Sequence, residues 1–146
     1  MISIMNGEMT MKPLHQGISV PDMDASIAWY QKIFGCQVCS DVQVPFLNAR
    51  IVFLTMGEFQ LELFQYMGGD RQPLPVERRE PNEDIKTCGT KHVAYAVDNL
   101  GELAGQFARE NVDVVKEPFP MGGDLVCFIR DNSGVLIELI EVGGAV

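Results

Sequence analysis

The chain has 146 residues, enough for one compact unit with a real core and too few for two ordinary domains. Hydrophobic residues make up 47% and charged residues 21%, which excludes a disordered or fibrous protein, and the apolar runs are too short and interrupted to span a bilayer. With 20 acidic against 11 basic side chains the formal net charge is −9, a sign that repels phosphate backbones and excludes nucleic acid as a partner.

In chain order, Met1 to Met11 lacks the basic start, apolar middle and cleavage-like end of a secretion signal, and residues 1–11 are expected to form a flexible leader. A single domain is expected over 12–146. Leu14 to Val20 reads as a short strand with His15 near its start. Pro21, Asp22 and Met23 then mark a helix entry, Asp22 being an N-cap residue type. Met23, Ile27, Tyr30 and Phe34 step by four, three and four, and Gly35 stands where a helix ends. Cys36 to Val42 reads as a strand. A hairpin follows, running from Ala49 to Thr55, turning at Met56-Gly57-Glu58 and returning from Phe59 to Phe64. Residues 67–90 carry Gly68-Gly69, Pro73, Pro75 and Pro81 among alternating charges and read as a linker, long enough to be either functional or mobile. Its Arg71, Arg78 and Arg79 stand among Glu77, Glu80, Glu83 and Asp84 and read as a solvated loop.

The second half repeats the first. Lys91 to Val97 is again strand-like, and His92 lies 92 − 15 = 77 positions after His15. Asn99 takes the place of Asp22, and Leu100, Leu103 and Phe107 form the helical stripe, with Asn111 where Gly35 stood. Val112 to Val115 reads as a strand, and Leu125 to Arg130, the turn Asp131 to Gly134 and Val135 to Ile140 as a second hairpin. The organisation predicted is α+β, with a first module at 12–66, the linker at 67–90 and a second module at 91–142, each a strand, a helix and three strands. Cys36 and Cys39 have C-x-x-C spacing, but no second pair completes a zinc knuckle, and positions three apart on a strand face opposite ways. Unpaired thiols and the absence of a secretion signal predict a cytoplasmic protein.

Only two histidines occur, His15 and His92, at the same place in the two modules. The last strand of each module carries one glutamate between apolar neighbours, Glu62 and Glu138, at 138 − 62 = 76, one short of the repeat. Singly, each has an ordinary reading as a solvated or hydrogen-bonded side chain. Together, two imidazoles and two carboxylates suit one divalent metal ion (Zn, Ni, Co, Mn or Fe(II)), provided that pseudo-twofold packing of the modules brings all four to one place.

The stretches 14–35, 89–100 and 130–140 resemble the opening, middle and final hairpin of the vicinal oxygen chelate superfamily, the group of glyoxalases, bleomycin-resistance proteins and extradiol dioxygenases. The resemblance covers Lys12 to Val142. It implies two pseudo-symmetric βαβββ modules forming a cupped mixed sheet around a metal, commonly in a homodimer. The implied metal ligands are His15, Glu62, His92 and Glu138, a set similar to those of glyoxalase I and methylmalonyl-CoA epimerase. The implied activity is that of a metal-dependent lyase or isomerase acting on a small carbonyl or thioester substrate, with Glu138 or Glu62 as catalytic proton carrier. An Fe(II) ring-cleaving dioxygenase and a non-enzymatic small-molecule binding or resistance protein are the alternatives. Ser19 departs from the glutathione-dependent pattern, which places an arginine there, and the strand from Ala49 to Leu54 lacks the extra acid expected of an epimerase.

Overall fold

The computed structural model describes residues 2–4 and 9–145, with side chains from Met11 onward. Within the expected leader, β1 (Ile2–Ile4) and β2 (Met9–Met11) pair as a short antiparallel ladder. The first module contains β3 (His15–Ser19), α1 (Met23–Phe34), β4 (Gln37–Val44), β5 (Ala49–Met56) and β6 (Phe59–Tyr66). After the linker, which holds the short helix α2 (Pro81–Asp84), come β7 (Val93–Ala96), α3 (Leu100–Arg109), β8 (Asp113–Met121), β9 (Asp124–Arg130) and β10 (Leu136–Glu141).

The predicted caps form. The Asp22 carboxylate accepts from the Ala25 amide and Asn99 from that of Glu102, each satisfying a donor that the first helical turn leaves free. Gly35 closes α1 at φ 66°, and Asn111, φ 55°, adopts the same left-handed backbone just past α3. Several strands run one or two residues past their predicted ends, and β8, expected to end at Val115, continues through Pro118 and Pro120. It lies at the edge of its sheet, where a residue without an amide hydrogen costs no ladder bond on the open side.

Each module makes one four-stranded mixed sheet, in the order β3-β6-β5-β4 and β7-β10-β9-β8. The first and last strands of each module pair in parallel, the others antiparallel. Strand alternation puts Val52, Leu54, Leu61 and Leu63 of the first sheet and Cys127, Ile129, Ile137 and Leu139 of the second into the interior. There they meet Met23, Tyr30 and Ile33 of α1 and Leu100 and Phe107 of α3 in one continuous core. The opposite faces of the strands are therefore left free to carry polar chemistry. No helix among the described residues is long and apolar enough to cross a membrane.

A candidate metal centre in two halves

His15 opens β3, and Glu62 lies in the neighbouring β6, opposite Gly17. The imidazole Nε2 stands 3.1 Å from the Glu62 Oε2. In the second module His92 immediately precedes β7, and Glu138 in β10 lies opposite Ala94. There the Nε2–Oε2 distance is 2.9 Å. In both modules the glutamate sits across the parallel ladder from the residue two beyond the histidine, and that residue is small. At Gly17 an added Cβ would come within 3.3 Å of the Phe64 ring.

The antiparallel neighbour repeats as well. Phe53 is opposite Glu62 and Phe128 opposite Glu138. Each phenyl ring meets its histidine edge-on, with centroids 5.5 Å apart for His15–Phe53 and 5.1 Å for His92–Phe128. From phenylalanine to glutamate the chain runs 62 − 53 = 9 positions in one module and 138 − 128 = 10 in the other. The second hairpin connection is thus one residue longer, while from histidine to phenylalanine the second module is two residues shorter (53 − 15 = 38 against 128 − 92 = 36), and the net difference leaves the glutamate offset one short of the repeat. These phenylalanines escaped the sequence reading. For Phe53 the signal was the two-residue turn at Gly57-Glu58, which by itself sets position 53 against position 62.

The four predicted ligands come together as two pairs and not as one quartet. Among the described residues no three His, Cys, Asp or Glu side chains form a group that could hold a metal. The expectation that packing of the modules would unite all four within one chain is not met. The physical reason lies in the sheets: each pair is built on the parallel ladder of its own sheet, and no ladder joins the two sheets.

The second pair has additional support from the linker. The buried Asp84 carboxylate accepts from Arg78 Nε, and its Oδ1 lies 3.1 Å from Lys91 Nζ. Lys91 also donates to the carbonyls of Asp84 and Thr87, and Arg78 Nη2 to that of Thr90 at 2.6 Å. The residue before His92 is thereby tied to α2 at several points. Arg78 and Arg79, read as part of a solvated loop, are instead half-buried in this folded linker, while Arg71 is exposed.

Imidazole nitrogen and carboxylate oxygen are the donors that Zn, Ni, Co, Mn and Fe(II) accept, and both pairs are partly exposed, so the donor chemistry fits a divalent ion. Two donors, however, fill only half of a tetrahedral shell.

Residues 12–139 match the family model described as Glyoxalase/Bleomycin resistance protein/Dioxygenase superfamily. The chain belongs to this superfamily. Among curated relatives, the human mitochondrial methylmalonyl-CoA epimerase is 29% identical over 129 residues, covering 86% of this chain and 70% of the relative. The lactoylglutathione lyase of Escherichia coli O157:H7 is 28% identical over 139 residues, covering 90% and 93%. Among solved structures, glyoxalase I from Zea mays superposes with a TM-score of 0.70 at 27% identity over 89% of this chain, which spans only 44% of the maize chain. A glyoxalase family protein from Enterococcus faecalis, at 20% identity and TM-score 0.74 over 89% of this chain and 97% of that one, shares the fold. The glyoxalase fold thus accounts for the repeated modules and the matched registers.

Proposed function

We propose that this protein is a metal-dependent lyase or isomerase whose metal centre is completed between two copies of the chain, His15 and Glu62 from one and His92 and Glu138 from the other. The observation that carries this reading is the pair of matched half-sites, each His–Glu–Phe in the same register and each holding half of the ligands a divalent ion requires. A two-fold dimer that sets one half-site against its complement would contain two complete centres. The relatives' names, methylmalonyl-CoA epimerase and lactoylglutathione lyase, support proton transfer at a carbon beside a carbonyl or thioester.

The metal, when bound, would polarise the substrate carbonyl and so acidify the adjacent C–H bond. Phe53 and Phe128 supply apolar walls beside the two glutamates, limiting water around the reacting carbon. One glutamate takes the proton. Return of that proton to the neighbouring carbon gives isomerisation. Delivery of a proton by the other glutamate to the opposite face of the same carbon gives epimerisation.

The test uses two variants, His15→Ala/Glu62→Ala and His92→Ala/Glu138→Ala. Neither alone is expected to retain metal through dialysis. After unfolding and refolding together, random pairing should restore about one quarter of wild-type metal occupancy, since half the dimers are mixed and each mixed dimer has one intact centre. No recovery from two variants that each fold would sink the shared centre. Assays for methylmalonyl-CoA epimerisation and lactoylglutathione formation then separate the two candidate reactions.

A further inference from the structure

The linker folds against the end of β3 and encloses a cleft of about 340 Å³. Val20, Leu74 and Val135 give it apolar walls, and Arg71 and Arg79 give it two guanidinium groups, with the hydroxyl-bearing Ser19 and Ser133 beside them. No carboxylate lines it, in a chain with 20 acidic residues and a net charge of −9. Among the described residues neither arginine forms an ion pair, whereas Arg50, Arg78 and Arg130 all do.

Both guanidiniums are held in place by backbone. Arg71 Nη1 donates to the Pro21 carbonyl at 2.9 Å, and Arg79 Nε and Nη2 donate to that of Leu74 at 3.2 and 2.7 Å. The Arg79 stem also packs on the turn at Gly134, where an added Cβ would lie 3.3 Å from its Cδ. A guanidinium has five N–H donors, so each arginine keeps several unspent. The acids nearby are already engaged: Asp131 accepts from Tyr30, Ser133 and Val135, and Asp70 from Tyr66. Two fixed, unneutralised guanidiniums in a partly apolar cleft favour an anion that can accept bidentate hydrogen bonds.

The cleft lies at the far end of β3 from the histidine of the first half-site. His15, Gly17 and Ser19 share one face of β3 by strand alternation, and Ser19 is part of the cleft wall. Four residues of strand place it about 13 Å from His15. We infer that this cleft is an oxyanion subsite that holds a carboxylate or phosphate on the carrier arm of the substrate, with Arg71 and Arg79 making the contacts. The role in substrate binding rests on the lyase or isomerase reading above; the anion site itself does not.

Metal-stripped protein titrated calorimetrically at low salt with adenosine 3′,5′-bisphosphate, S-methylglutathione or inorganic phosphate tests the inference without any turnover. At least one probe should bind with a Kd of about 10 mM or tighter. Arg71→Gln and Arg79→Gln should each weaken that binding about tenfold or more, and Arg109→Gln, distant in the chain on α3, should not. Binding of the bisphosphate alone assigns a phosphate arm, and binding of S-methylglutathione alone assigns a carboxylate. If Arg79→Gln does not fold, the exposed Arg71→Gln and the amide shifts of Ser19 and Ser133 in the wild type decide. No binding of any probe, binding indifferent to Arg71, or shifts confined elsewhere would overturn the subsite. Such a failure alongside restored metal in the mixed dimers would leave the lyase or isomerase reading standing, and the converse result would leave the anion site.

Discussion

The Tyr30 hydroxyl donates to the Asp131 carboxylate at 2.8 Å across 101 positions of sequence, joining the helix of the first module to the last hairpin turn of the second. Tyr30 is fully buried, and the other oxygen of Asp131 accepts from the Ser133 and Val135 amides. Tyr30→Phe leaves Asp131 Oδ2 without its donor, because no water replaces a group so enclosed. The expected loss is about 2 kcal/mol of unfolding free energy, read from urea denaturation. An unchanged midpoint would show that the contact does not hold the modules together.

Stability should fall in alkali, starting with thiols. Burial pushes the Cys36 and Cys127 thiols up to about 11 from an ordinary 9.0. The unfolded chain ionises first, so the folded state holds more protons and loses stability as pH rises from 9 to 11. Burial, reinforced by Asp131, likewise raises the Tyr30 phenol well above 10.0, and burial raises that of Tyr95, which extends the decline upward. Thermal melts of a Cys36→Ala/Cys127→Ala variant should decline less steeply between pH 9 and 11 than those of the wild type. Parallel declines would contradict the assignment.

Asp84→Ala should be costly and local in its effect on the second half-site. It leaves the Arg78 guanidinium and the Lys91 ammonium without their buried counter-ion, a loss on the order of 3 kcal/mol. Amide hydrogen exchange should increase at 85–92 more than in β10. Uniform protection across that segment would mean that the clamp contributes nothing to the placement of His92.

Glu62→Gln and Glu138→Gln keep the shape of each side chain and remove its ability to take a proton. Each is expected to lower turnover at least about a hundredfold while leaving the melting temperature near that of the wild type. Equal activity in either variant would remove that glutamate from the proton path.

Much of the fold was legible because its signals are local. Asp22 and Asn99 announce helix starts through bonds to amides three residues on, Gly35 and Asn111 supply the left-handed backbone past the helix ends, and Gly57 marks a hairpin turn. The extension of β8 escaped notice because Pro118 and Pro120 forbid a central strand but not an edge strand, and edge position is a property of the assembled sheet.

By itself the sequence determined the repeat, the two modules, and the equivalence of His15 with His92 and of Glu62 with Glu138, since these follow from residue types at fixed spacing. Only the tertiary structure decided that the four side chains assemble as two His–Glu pairs on separate sheets. Parallel pairing of β3 with β6 and of β7 with β10 brings together strands more than forty residues apart, and no local turn or cap encodes its register. The same holds for Arg71 and Arg79. Amid the acids of the linker they read as solvated charges, and only the docking of that linker on β3 gathers them into a cleft that no carboxylate lines.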